Sequence, residues 1–448
     1  MKKYFFIPLT LSVMLSAQTL KTTLTQTLAT NPSVQERLKN FQSTQEEVSV
    51  ARAGYYPKLD LNLGAGHETT KRSNQAGGTS DQTYNFTVYQ NSLKLTQNLF
   101  NGFSTTYQLQ EAKYKTIAAA YSYIEKVNTT SYDLVSSYLE LLKNTELIKT
   151  AKENVDIDEK ILNKVQKLYN AGLTTLSEVN KIQSSLALAR ANLVVQKNRT
   201  QEAAYNLQKV VGRPLKAAQM SKPRFVNTAL PKTLAEAQIV ALKNNPSLLV
   251  NRFNIKLAQA TKKKLYTNYY PKVDLEVSQS MNKNLSGIEG NNDAFRAMAY
   301  LSYNLFNGLS DKANITKSVV QIEQEEEKQN SIKRETLQSL QIAWTTTKKT
   351  QEQLKYLQQY HEFSKKTLSL YNKEYALGRR SLLDLLSSQN DLIHSKEQII
   401  TAQYSILSSQ YKILNIMGTL VSTLMKDDTK NIYTNVNLQN NFNTAKVQ

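Results

Sequence analysis

The chain has 448 residues, no cysteine, three histidines and a formal net charge of +20. Without cysteine there are no disulfide frameworks, thiol nucleophiles or lipid attachment through sulfur, and His67, His361 and His394 lie too far apart to share a metal. No internal run approaches the ~18 apolar residues of a spanning helix. Basic runs such as Lys262-Lys263-Lys264 are short and scattered, which reads as solvated helix faces and not as a nucleic-acid footprint.

The N-terminus opens with Lys2-Lys3, continues through an apolar run from Tyr4 to Leu15 and ends in Ser16-Ala17. This is the pattern of an export signal, so residues 1–17 are assigned as a signal peptide. An exported chain without cysteine is periplasmic, secreted or built into an outer-membrane barrel.

The rest of the chain is written twice. Asn31-Pro32-Ser33 recurs as Asn245-Pro246-Ser247, and Tyr55-Tyr56-Pro57-Lys58-Leu59-Asp60-Leu61 as Tyr269-Tyr270-Pro271-Lys272-Val273-Asp274-Leu275, both 214 residues on. Leu99-Phe100-Asn101-Gly102 recurs as Leu305-Phe306-Asn307-Gly308, 206 residues on; at the same offset Tyr169 and Gly172 match Tyr375 and Gly378, and Val211-Gly212 matches Met417-Gly418. The second copy is thus eight residues shorter, between the positions matching Leu61 and Leu99. A length change confined to one place marks a tolerant loop.

Each copy begins with a helix, near Leu20 to Ala53 and Leu234 to Asn268, restarted at its Asn-Pro and stopped by Tyr-Tyr-Pro. Period-two alternation follows. Leu59, Leu61, Leu63 and Ala65 alternate with Asp60, Asn62, Gly64 and Gly66, and Val273, Leu275 and Val277 with Asp274 and Glu276. Past a polar loop a returning strand is predicted, through Tyr84, Phe86 and Val88 and then, after a change of phase, Leu93 and Leu95. In the second copy it runs through Phe295, Ala297, Ala299, Leu301 and Tyr303. Phe-Asn-Gly ends each return strand, and Ser104 and Ser310 are placed to cap the next helix.

No proline or glycine interrupts Ser104 to Ala171, enough for a helix of about 100 Å. Leu134, Leu141, Ile148, Val155, Leu162 and Tyr169 recur in sevens; so do Leu385, Leu392, Ile399, Ile406 and Ile413. Such seams mean coiled-coil packing. The predicted organisation is a first repeat over 18–215 (β-hairpin 57–99, long helical hairpin 104–211), a linker over 216–231, a second repeat over 232–425 (β-hairpin 271–305, helical hairpin 310–417) and a polar tail over 426–448. The fold class is mainly α with a β-barrel part. Four strands cannot close a membrane barrel, which starts at about eight, and open edges are not tolerated in lipid. Several chains must therefore share one barrel. At 11 residues, Pro57 to His67 matches the length of a tilted barrel strand.

In this order of elements the chain resembles the TolC-like family of outer-membrane efflux channels. The likeness rests on the duplicated plan, on Tyr56-Pro57-Lys58-Leu59 and Tyr270-Pro271-Lys272-Val273, on Leu-Phe-Asn-Gly at both strand exits, and on the helical turns. Those turns run from Tyr169-Asn170-Ala171-Gly172-Leu173 to Val179 and from Tyr375-Ala376-Leu377-Gly378-Arg379-Arg380 to Leu386. The resemblance implies a homotrimer with a shared 12-stranded barrel in outer-membrane lipid and an α-helical tunnel in the periplasm. It also implies a periplasmic adaptor, an inner-membrane pump of the RND, ABC or MFS class, no cofactor and no enzymatic chemistry. Solutes or secreted proteins would pass through a gate at the helical tips. By position Arg380, Tyr375 and Glu178 match the gate's arginine, tyrosine and acidic partner, Glu178 standing for an Asp. Asp384 matches the first of two acidic constriction positions; the second is Ser387, so one acidic ring is missing. Gly172, Leu173, Gly378 and Arg379 fall where the adaptor docks. The alternative from another class is a periplasmic coiled-coil adaptor or scaffold, which carries one helical hairpin in β-rich domains. A secreted nucleic-acid-binding coiled coil is a more distant one.

Overall fold

A computed structural model of the chain describes residues 19–72, 82–225 and 229–425. The predicted signal peptide, the centre of the first hairpin loop, part of the linker and the polar tail lie outside the described residues. Each copy opens with two helices, α1 (Leu20–Thr30) and α2 (Pro32–Ala53), then α5 (Leu234–Asn244) and α6 (Pro246–Leu265). Two strands follow in each: β1 (Lys58–Arg72) and β2 (Gln82–Phe100), then β3 (Lys272–Lys283) and β4 (Asn291–Ser302). Each closes with a long hairpin: α3 (Ser104–Asn170) with α4 (Leu176–Val211), and α7 (Ser310–Ala376) with α8 (Leu382–Ile416). A short α9 (Leu420–Met425), not foreseen from the sequence, ends the described chain.

The chain divides into two compact units. One holds residues 39–121 and 249–331 and contains the whole sheet. Its order is β1-β2-β3-β4, all neighbours antiparallel, with the outer edges of β1 and β4 unpaired among the described residues. β1 has 15 residues, longer than the 11 anticipated from Pro57 to His67, and β2 has 19. β4 stops at Ser302, short of the expected Leu305, because its one partner among the described residues, β3, begins at Lys272 opposite Ser302. The expected change of phase in β2 involves no bulge. Pairing with β1 runs unbroken from Gln82 to Thr96, so Tyr84, Phe86 and Val88 share the face of Asp60 and Lys94, opposite to Leu93 and Leu95. A register shift occurs only between Asn98 and Phe100, in the pairing with β3.

Registration puts Leu59, Leu61, Leu63, Leu93, Leu95, Val277, Ala297 and Ala299 on one face of the sheet. Leu61, Leu63, Phe295 and Leu301 on that face are 64–72% exposed, so nothing among the described residues covers it. The other face is polar: Lys94 Nζ lies 2.8 Å from Glu276, and Asn98 Nδ2 donates to Asp274 at 2.8 Å. In the same unit the helices are tied by Lys264 to Glu111 at 2.6 Å and by Thr116 Oγ1 donating to the Thr44 carbonyl at 2.7 Å.

The second unit comprises the described parts of residues 1–38, 122–248 and 332–448. Here the repeat is visible as chemistry. Asn31 Oδ1 accepts from the Ser33 N–H and its Nδ2 donates to the Val210 carbonyl; Asn245 does the same with Ser247 and Ile416. Each Asn thereby caps one helix start and one helix end whose groups have no intrahelical partner. Gly212 and Gly418 follow those ends at positive φ. Of the heptad positions, Leu134, Leu141, Val155, Leu385 and Ile413 are buried, Ile148, Leu162, Leu392, Ile399 and Ile406 are half-buried, and Tyr169 is exposed.

Candidate functional site: the paired helical tips

Both long hairpins turn in the same way. Gly172 (φ 72°) and Gly378 (φ 70°) take the left-handed conformation just past α3 and α7. The N–H of Gly172 donates to Tyr169 and that of Leu173 to Leu168; the N–H of Gly378 donates to Tyr375 and that of Arg379 to Glu374. These paired bonds satisfy helix-end carbonyls that would otherwise be orphaned. Each returning helix then starts on a hydroxyl cap: Thr175 Oγ1 accepts from the Glu178 N–H and Ser381 Oγ from the Asp384 N–H. Both acids therefore sit in a first helical turn, where the dipole favours them.

One apolar cluster joins the tips. Val165 of α3, Val179 and Ile182 of α4, and Leu382, Leu385 and Leu386 of α8 are all buried in it, with Tyr371 and Tyr375 of α7 packed alongside. Around it the surface is apolar and open: Leu173, Leu176, Leu377 and Leu383 are 53–74% exposed.

The structure brings Tyr375 and Glu178 together, with Tyr375 Oη donating to Glu178 Oε2 at 3.4 Å. Thr174 donates to the same oxygen, and the Lys164 ammonium lies 5.3 Å from the centre of the Tyr375 ring. Burial, and after it the negative Glu178, push the Tyr375 hydroxyl up to about 12, so it stays a donor at physiological pH. Arg380 is placed differently from the expected three-way lock. Within the chain its Nε donates to Glu374 at 2.7 Å, and its guanidinium lies 4.3 Å above the Tyr371 ring. Glu374 sits one turn before the tip and competes for the cation at closer range than the other hairpin can. Asp384 accepts from Ser381 Oγ at 2.9 Å. Gly172, Leu173, Gly378 and Arg379 form the turns themselves. Glu374, Tyr371 and Thr174 were missed from sequence, although Glu374 and Arg380 flank the tip glycine at a spacing that a turn brings together.

A second feature that escaped the sequence reading is a stripe on α7. Tyr356, Phe363, Leu370 and Leu377 recur every seven residues and are 57–71% exposed. A heptad seam of this kind ordinarily lies buried against a partner helix, and among the described residues nothing covers this one.

A four-stranded sheet bare on its apolar face, carried with two long helical hairpins in a duplicated chain, defines the class of outer-membrane channel-tunnels. A family model described as outer membrane efflux protein matches residues 23–213 and 240–419, and the chain belongs to that family. It is 24% identical over 361 residues to the pyoverdine export outer membrane protein OpmQ of Pseudomonas aeruginosa, covering 77% of this chain and 73% of that protein. It is 21% identical over 377 residues to the outer membrane efflux protein BepC of Brucella suis, covering 84% and 79%. Its fold matches the crystal structure of the outer membrane protein VceC from Vibrio cholerae with a TM-score of 0.76 at 18% identity, over 89% of this chain and 96% of that one. Proteins of this family are passive channels of the outer membrane, with periplasmic helical tunnels; they serve efflux and secretion systems and work with adaptor proteins and inner-membrane pumps.

Proposed function

We propose that three copies of this chain form one exit duct, gated where the two helical tips meet. The observation that carries this is the sheet: two open edges and an uncovered apolar face are untenable in lipid unless other copies supply the missing strands. Four strands from each of three chains close a barrel of twelve. The apolar face is then the lipid face, and the side of Lys94, Glu276 and Asp274 is the lumen. The exposed tyrosines at the strand bases, Tyr55, Tyr56, Tyr269, Tyr270 and Tyr303, suit a membrane interface. The heptad stripe of α7 is the matching vacancy in the helical part, to be filled by a helix of the next copy.

At the tips, Tyr375 and Glu178 hold the second hairpin against the first. Arg380, kept ready by Glu374 and Tyr371, can exchange those partners for acceptors on a neighbouring copy. Three-fold symmetry gathers three Asp384 carboxylates at the narrowest point, which favours cations there. Gly172, Leu173, Gly378 and Arg379 are the adaptor-docking turns, with the exposed leucines beside them as the apolar contact. The pump supplies the energy.

The absence of native cysteine allows a direct test. Leu61→Cys on β1 is combined in turn with Ala297→Cys, Ala299→Cys or Leu301→Cys on β4, and the protein is oxidised in outer membranes. The reading requires a cross-linked ladder that closes at three chains. A ladder that stops at two, or no inter-chain product for any pair, contradicts it.

A further inference from the structure

A second polar contact joins the hairpins, away from the tip surface. Asp158 of α3 is 1% exposed. Its Oδ1 accepts from Gln389 Nε2 of α8 at 2.6 Å, and its Oδ2 from Ser185 Oγ of α4 at 3.0 Å. Gln389 Nε2 also donates to Asn154 Oδ1 at 3.0 Å. Gln389 is itself 1% exposed, and its Oε1 has no partner; neither has the buried Ser388 Oγ beside it. Buried acceptors left unpaired are unfavourable. Gln389 Nε2 serves Asp158 and Asn154 at once and Ser185 takes the other carboxylate oxygen, so one buried carboxyl joins three helices.

A proton on Asp158 Oδ2 removes the buried charge and keeps both contacts. The neutral carboxyl donates from Oδ2 to Ser185 Oγ, a hydroxyl that can accept as well as donate, while Gln389 Nε2 goes on donating to Oδ1 and to Asn154. The surrounding charges are engaged elsewhere or exposed. Glu153 of α3 pairs with Lys396 of α8, and Glu159 of α3 with Arg190 of α4. Asp391 of α8 accepts from Tyr360 of α7, and His361 of α7 bonds Ser395. Lys181 of α4 is exposed.

We propose that Asp158, Gln389 and Ser185 form a proton-operated latch that holds α8 of the second hairpin on α3 and α4 of the first. Asp158 is a positioning residue and touches nothing that moves through the duct. Burial holds its carboxyl above the usual carboxylate range, and the two donors only partly offset this. The latch is therefore complete below the ordinary carboxylate value and weakens as pH rises through the raised one. Acid tightens the tips and neutral pH loosens them.

The proposal rests on the tips being the gate, so its test includes a readout that needs no current. Spin labels at Lys152→Cys on α3 and Asn390→Cys on α8, in the full chain, report the separation of the two helices. In otherwise native protein the separation should lengthen or broaden as pH rises from about 3.9, the ordinary carboxylate value, to neutral, and single-channel current should rise about threefold with it. Asp158→Asn, neutral at every pH, should keep the short distance and low current at both; Ser185→Ala should keep the pH response with a shifted midpoint. Distances that do not change with pH, or a full pH response retained in Asp158→Asn, overturn the latch. Distances that respond while the current does not uphold the latch and overturn the gate.

Discussion

Tyr375 Oη donates to Glu178 Oε2 across 3.4 Å, tying the last turn of α7 to the first turn of α4. The contact is long and partly wet, so it contributes about 1 kcal/mol or less. A gate needs links of this size, which hold a population and still yield. Tyr375→Phe removes the donor and keeps the ring in its apolar cluster. The expected outcome is normal folding and assembly with a several-fold higher open probability in bilayers, and greater susceptibility of cells to large antibiotics. Unchanged current and unchanged susceptibility would remove Tyr375 from the gate.

Arg380 separates two accounts of the tip. If it serves only to pair with Glu374 and stack on Tyr371, then Glu374→Gln and Arg380→Ala should have the same effect. If it exchanges partners between copies, Arg380→Ala should raise conductance, whereas Glu374→Gln should free the cation for the neighbour and lower it. Paired current recordings of the two variants decide between them.

The glycines divide by surroundings. A Cβ at Gly172 or Gly378 meets nothing within 4 Å, so alanine there costs only the left-handed conformation, about 1–2 kcal/mol. At Gly418 the Cβ would lie 2.5 Å from the Asn244 carbonyl oxygen. There the clash adds to the strain, for about 3 kcal/mol or more. Thermal unfolding should therefore leave Gly172→Ala and Gly378→Ala close to the parent and lower Gly418→Ala markedly. Adaptor binding should weaken only in the tip variants.

The two faces of β1 should answer differently to the same side chain. Leu61→Arg places a cation on the lipid face, at a cost of about 2–4 kcal/mol near the midplane, while Asn62→Arg places it in the lumen. The first should deplete heat-resistant oligomer in outer membranes; the second should assemble and reduce cation preference.

Much of this was legible beforehand because the chain repeats itself. The Asn-Pro, Tyr-Tyr-Pro and Phe-Asn-Gly blocks are punctuation, and punctuation fixes helix and strand limits locally; α3 and α7 start at Ser104 and Ser310, just past Phe-Asn-Gly and its counterpart. The lengths of β1, β2 and β4 did not, since a strand extends only as far as a neighbour pairs with it. Tyr375 and Glu178 were found by position, and the structure puts them in contact. Arg380's nearest partner was not found, because Glu374 reaches it only through the turn at Gly378. Asp158 and Gln389 were invisible: each looks like one more polar residue on a long helix until the packing of α3, α4 and α8 buries both.

Whether three of these chains form one closed-tip channel is tested by planar-bilayer conductance of the detergent-purified protein, with its mass determined in the same preparation. The expected result is a trimer with small, steady, cation-biased currents that grow in Tyr375→Phe. A species of one or two chains that carries no current would contradict it.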